Sequence, residues 1–167
     1  MNKIEQTYLI NASPQEVWRA LTEDVVIQKW SDASATFVPQ AGMDYSLWDG
    51  SIVGKIIEAV PNKKLAQTWK PNDWTIDNSI VTFTLTPVGK KTRVDLLHEN
   101  VEEFDYEGTR EGWDIYYLGA IKRMFAAKAK STKPGNTKTA KATKPAKKKA
   151  VKEKIASKKS VKKKTKK

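Results

Sequence analysis

Thr109-Arg-Glu-Gly-Trp-Asp-Ile-Tyr-Tyr-Leu-Gly-Ala-Ile-Lys-Arg-Met-Phe125 is the stretch that decides the fold. At 100° per residue, Tyr116, Ala120, Trp113, Met124, Tyr117, Ile121, Phe125 and Leu118 fall in one arc of roughly 200°. A surface helix needs about half that width. This helix therefore has to be covered on most sides, and the remaining chain has to supply the cover.

That chain reads as strands. Ile4, Gln6, Tyr8 and Ile10 alternate with polar neighbours. Ser13-Pro14-Gln15-Glu16 then starts a helix: Ser13 caps, Pro14 suits the first turn, and Glu16 completes a capping box. A second short helical turn is expected about Val25 to Trp30. From Ala33 to Glu99 the period becomes two, with strands expected at Thr36–Val38, Asp44–Asp49, Ile52–Val60, Leu65–Trp69, Ser79–Thr86 and Thr92–Glu99. Asp49-Gly50-Ser51 supplies hairpin-turn chemistry. Val81, Phe83 and Leu85 oppose Thr82, Thr84 and Thr86, the alternation of a half-buried antiparallel strand. The expected class is α+β: a curved antiparallel sheet wrapped around a long C-terminal helix.

Charge divides the chain in two. Residues 1–127 carry 13 Lys+Arg against 18 Asp+Glu, a net of −5, and hold every aromatic residue. Residues 128–167 carry 18 Lys against Glu153 alone, a net of +17. The first part can bury a core; the second is expected to be a disordered basic tail, because like charges repel and little apolar surface can be buried. Cysteine is absent, which excludes disulfides and thiolate chemistry. No apolar run approaches the ~20 residues that span a bilayer, and the N-terminus lacks a signal-peptide core. A cytoplasmic location is expected, nucleoid-associated, or nuclear in a eukaryote.

Ala12-Ser13-Pro14-Gln15-Glu16-Val17-Trp18-Arg19-Ala20-Leu21-Thr22, with Trp30 beyond, resembles the opening of the START-like (SRPBCC) helix-grip superfamily. Leu47-Trp48-Asp49-Gly50-Ser51-Ile52-Val53-Gly54, Val60-Pro61-Asn62-Lys63-Lys64, Trp69, Trp74 and the Thr109–Phe125 stretch extend the likeness. Within the superfamily they resemble the C-terminal domain of the activator of Hsp90 ATPase. The resemblance covers nearly all of residues 1–127 and none of the tail. It implies a helix-grip fold and, as an alternative function, regulation of an Hsp90-type chaperone. The superfamily also includes lipid carriers and cyclases, and fold alone does not choose among them.

Strand parity and the helical arc turn Trp30, Phe37, Tyr45, Trp69, Phe83, His98, Trp113 and Tyr117 inward. They either line a cavity for a small hydrophobic ligand or fill a core with rings. His98, the lone histidine, is either a pocket acid–base group or a hydrogen-bonded core residue. Asp114 is either a polar anchor inside or a rim residue at the positive helix end. The acids Glu102, Glu103, Asp105, Glu107 and Glu111 either meet a basic partner or complement the helix dipole. Gly108, Gly112 and Gly119 share the side opposite the aromatic arc; close approach of another backbone, as in a dimer, would account for them. No catalytic set, metal site or cofactor is expected, since one histidine and no cysteine leave few ligands.

In the tail, Lys141, Lys144, Lys147, Lys148, Lys149, Lys152, Lys158, Lys159, Lys162, Lys163 and Lys164 form runs interleaved with Ala and Pro that resemble linker-histone tails. Such a chain is expected to bind nucleic acid through counterion release, without sequence preference; an anionic membrane, another acidic partner and a solvated tail with no dedicated target are the alternatives.

Overall fold

The computed structural model describes residues 2–131. The chain runs β1 (Lys3–Ile10), α1 (Pro14–Thr22), α2 (Asp24–Ser31), β2 (Asp44–Leu47), β3 (Ile52–Val60), β4 (Lys64–Thr68), β5 (Lys70–Pro71), β6 (Ile80–Val88) and β7 (Lys91–Glu99). A 3-10 turn, Glu103–Asp105, then leads into a continuous helical run: α3 (Tyr106–Gly112), a π-helical segment Trp113–Tyr117, and α4 (Leu118–Ser131).

The strands form one curved seven-stranded antiparallel sheet in the order β1-β7-β6-β4-β3-β2, with β5 pairing to β3. A register shift between Ile56 and Glu58 in β3 adds local bend and twist. Alternation sets the inner face: Ile4, Tyr8 and Ile10 of β1, Val81, Phe83 and Leu85 of β6, and Val94, Leu96 and His98 of β7 are all buried. Trp113, Tyr117, Leu118, Ile121 and Phe125 of the final helix are buried too, and they belong to the same core as those strand residues.

The start of α1 follows its sequence signature. The Ser13 hydroxyl accepts from the Glu16 N–H, and the Glu16 carboxylate accepts from the Ser13 N–H. The last turn of the chain described here returns to this point: Lys128 Nζ pairs with Glu16 at 3.0 Å.

Three expectations need correcting. The strand expected at Thr36–Val38 is reduced to a single bridge, Thr36 to Ser46, because the Phe37 N–H is taken by the Asp24 carboxylate at 2.7 Å and Pro39 follows. Tyr116, placed in the apolar arc by a uniform 100° period, is 50% exposed. The π segment, whose end is marked by the Leu118 N–H bonding to the Trp113 carbonyl, advances less per residue and turns Tyr116 outward. The helix also continues to Ser131, four residues past the position where composition changes; Ala and Lys are good helix formers, so charge alone does not end it.

Candidate functional site

Of the eight residues expected inside, Trp30, Trp69, Phe83, His98, Trp113 and Tyr117 share one cluster of ring contacts, with Tyr117 as its hub and Trp30 only partly buried. The Tyr117 ring lies 4.7 Å from Trp30, 4.9 Å from Trp113, 5.6 Å from Phe83 and 6.0 Å from Trp69, centroid to centroid. Phe37 pairs with Tyr45 at 5.3 Å, and Trp69 with Trp113 at 4.7 Å. Trp48 completes the group, 5.7 Å from Tyr117 and 5.8 Å from Trp30. Sequence reasoning had quoted Trp48 only as a family marker. Its turn position hides it from parity, and its backbone is left-handed, with φ 48°.

Trp113 and Tyr117 stand at the two ends of the π segment, four residues apart and on one side of the helix. Extra length in one turn leaves carbonyls without helical partners, and the Arg123 guanidinium takes up two of them, Asp114 O at 3.3 Å and Ile115 O. Gly119 makes room: a Cβ there would lie 1.6 Å from the Asp114 carbonyl oxygen. The backbone that approaches Gly119 is therefore that of its own helix, and no second copy is needed to explain this glycine.

His98 is held on three sides by indoles: Trp74 stacks on it at 5.8 Å, and Trp69 and Trp113 meet it edge-on. An indole can only donate, so the Trp113 Nε1–H···Nδ1 bond of 3.2 Å makes Nδ1 the acceptor. The neutral imidazole then carries its proton on Nε2 and donates to Ser79 Oγ at 2.8 Å. The Ser79 hydroxyl in turn donates a hydrogen bond to the Glu99 carbonyl at 3.2 Å. A serine beside a histidine suggests a nucleophile and its base, but the bond polarity is the reverse of what that chemistry needs. Burial pushes the His98 pKa down to about 3, so the neutral form persists through the physiological range. His98 is a hydrogen-bonded core residue.

A different polar group lies deeper. Tyr45 donates to the Thr68 carbonyl at 2.5 Å and closely approaches both Gln67 and Tyr117. Burial, then the nearby Tyr117 hydroxyl, pushes the Tyr45 phenol well up; burial does the same to Tyr117. Among the described residues, neither the Gln67 amide nor the Tyr117 hydroxyl meets strict hydrogen-bond geometry with a partner, although Gln67 lies close enough to the Tyr45 hydroxyl to offset part of the upward push on that phenol's pKa. In the sequence Gln67 is simply the middle residue of the expected strand Leu65–Trp69.

Asp114 faces out. With Gln6, Tyr8, Arg110, Glu111 and Ile115 it lines an open surface cleft of about 360 Å³ between β1 and the helix. A second cleft, of about 320 Å³, surrounds the exposed Phe104 with Asn2, Glu103, Tyr106 and Glu107. None of the eight expected pocket residues lines either cleft. Two of the clustered acids have internal work. Asp105 accepts from the Trp74 indole at 2.9 Å, and Glu102 accepts from Thr75 and the Ile76 N–H, so together they fasten the loop between β5 and β6.

Among the described residues no group of three His, Asp or Glu side chains could hold a metal ion, and no helix is long and apolar enough to cross a membrane. The eleven tail lysines expected to bind nucleic acid, Lys141 to Lys164, lie outside the described residues.

Residues 11–126 match the protein family described as activator of Hsp90 ATPase homolog 1-like protein. Mouse and human proteins named activator of 90 kDa heat shock protein ATPase homolog 1 are each 30% identical over 129 residues, covering 76% of this chain. The chain spans only 37% of the length of those relatives. A crystal structure of an HSP90 activator from Plasmodium falciparum superposes with a TM-score of 0.69 at 25% identity, covering 74% of this chain and 96% of that one. The solution structure of an Aha1 dimer from Colwellia psychrerythraea shares the fold, with a TM-score of 0.66 at 24% identity over 75% of this chain and 96% of that one.

Proposed function

The chain belongs to the family of activator of Hsp90 ATPase homolog 1-like proteins, and on that footing we propose that its folded part binds an Hsp90-type chaperone and changes its ATP turnover. The observation that carries this reading is the extent of the match: residues 11–126 take in every element from α1 to most of α4. The reversed Ser79–His98 polarity favours a binding role over a hydrolytic one at that pair.

The test uses the full chain and a purified Hsp90-type chaperone. Binding in at least one nucleotide state, with a saturable change in ATP hydrolysis, is the expected result. Failure to bind with and without nucleotide would remove the proposal.

A second activity resides in residues 128–167, carried by their net charge of +17. This segment tethers the chain to nucleic acid through phosphate contacts, without reading bases. Residues Met1–Lys133 form one self-contained unit, so a chain ending at Lys133 is a fair control. In a salt titration the full chain should bind DNA and RNA with a steep salt dependence that the shortened chain lacks. Equal affinity of the two would take the tail out of the mechanism.

A further inference from the structure

β1 is a terminal strand of the sheet and pairs with β7 alone. The ladder fixes which of its backbone groups that pairing uses. The Leu85 N–H donates to the Lys63 carbonyl and the Trp69 N–H to the Ser79 carbonyl, so the odd-numbered residues of β6 face β4. Antiparallel bonding alternates, so the even residues of β6 face β7, and the even residues of β7 are left to face β1. In the β1–β7 register these meet Ile4, Gln6, Tyr8 and Ile10. Lys3, Glu5, Thr7 and Leu9 therefore direct their N–H and C=O groups away from β7. The Lys3 carbonyl is taken by the Tyr106 hydroxyl at 3.0 Å. Glu5, Thr7 and Leu9 keep theirs open among the described residues, a row to which another strand can bond.

The final helical run forms a wall beside this edge. Gln6 Nε2 donates to the Arg110 carbonyl at 3.0 Å, and the open cleft of about 360 Å³ lies between Thr7 and Tyr8 on one side and Glu111, Asp114 and Ile115 on the other. Its helical wall is both apolar and acidic. Ile115 is 46% exposed. Arg110 is engaged by Glu107 at 2.9 Å, which leaves Glu111 and Asp114 as carboxylates without a salt bridge among the described residues. Burial, then the Asp114 charge, pushes the Tyr8 phenol up to about 12, so the field of that carboxylate reaches β1. A strand added at the edge would alternate its side chains, one set over the cleft and the other beside Thr7 and Leu9 on the outer face. A lysine or arginine of the first set lays its aliphatic stem on Ile115 and brings its charge to Glu111 and Asp114. β-Branched residues suit the second set.

We propose that the open edge of β1, from Glu5 to Leu9, docks an extended peptide segment of a partner protein that alternates basic with β-branched residues and joins the sheet as an additional strand. Backbone bonds from Glu5, Thr7 and Leu9 hold the segment, and Glu111 and Asp114 select its basic side chains. Charge favours this occupant over the β1 strand of a second copy, whose single lysine, Lys3, is already paired with Glu5 at 2.8 Å. The docking edge goes beyond chaperone regulation and does not depend on it.

The full chain is titrated, by fluorescence anisotropy, with a labelled and blocked heptapeptide of alternating valine and lysine, and with the same peptide carrying threonine for lysine. The expected result is saturable binding, with the lysine peptide about fivefold tighter than the threonine peptide and the difference erased in the double variant Glu111→Gln, Asp114→Asn. Two further lysine peptides carry N-methyl groups on every valine nitrogen or on every lysine nitrogen, which strips the donors from one edge or the other. One should bind like the parent and the other about tenfold more weakly, because a single edge of the peptide meets β1. Thr7→Pro removes an N–H that β7 does not use, so the fold should persist while affinity falls about tenfold. Where Thr7→Pro fails to fold, the methylated pair still decides. Absence of saturable binding, equal affinity of the two methylated peptides, or undiminished affinity in folded Thr7→Pro overturns the proposal. So does a lysine preference that is absent in the parent chain or survives in the double variant.

Discussion

Trp113 donates its indole N–H to Nδ1 of His98 across 3.2 Å, joining the bulged turn of the last helix to the inner face of β7. That bond fixes the imidazole tautomer, and it exists only while His98 is neutral, because a protonated ring has no acceptor to offer.

Acid should therefore weaken the fold through His98. The folded pKa of about 3 lies below the ordinary 6.5, so above pH 6.5 both folded and unfolded states are neutral there. Below 6.5 the unfolded chain binds a proton that the folded chain refuses. Stability should fall by up to about 1.4 kcal/mol per pH unit down to the folded pKa. Urea midpoints from pH 7.5 to 4.5 measure this, and His98→Gln should flatten the slope over that window. Parallel slopes in the two proteins would place the acid sensitivity elsewhere.

Two glycines seven residues apart should respond to alanine with opposite signs. At Gly119 the new Cβ would overlap the Asp114 carbonyl at 1.6 Å. Gly119→Ala must expel the π turn, and a cost of ~3 kcal/mol or loss of folding is expected. At Gly112 the nearest heavy atom to a Cβ is 4.0 Å away and φ is −59°, so Gly112→Ala should stabilise by ~1 kcal/mol. Chemical denaturation of both variants checks the pair.

Glu102 grips the β5–β6 loop by accepting from Thr75 Oγ1 at 3.0 Å and Ile76 N at 3.3 Å. In Glu102→Ala the Ile76 amide should exchange with solvent roughly fivefold faster, the loss of about 1 kcal/mol of local protection. Amides of β1 should keep their rates. Hydrogen exchange resolved by residue reads both.

Removing the first helix cap should cost a predictable amount. Ser13→Ala deletes the hydroxyl that accepts from Glu16 N and contacts its carboxylate. A loss of ~1 kcal/mol is expected, read as a lowered urea midpoint with unchanged slope.

The sequence by itself determined the elements whose cause is local. Alternation placed β1, β3, β6 and β7; Ser13, Pro14 and Glu16 placed the start of α1; Asp49-Gly50-Ser51 placed the hairpin. Burial of one face is written into a strand at period two, and a cap needs only its own four residues. Tyr45, Trp69, Phe83 and His98 were legible as inward residues for the same reason.

Tertiary structure alone decided the rest. The 100° period assumes an unbroken α-helix, and the turn that breaks it depends on Trp113 reaching His98 and on Gly119 admitting the Asp114 carbonyl. Tyr116 turned outward as a consequence. The acids Glu102 and Asp105 looked like surface charge until a loop some 30 residues earlier supplied their donors. Gln67 carried no signal beyond its parity, because the partners of a buried amide are set by what surrounds it. Tyr45, Gln67 and Tyr117 lie far apart along the chain, and only the closing of the sheet on the helix sets their polar ends together.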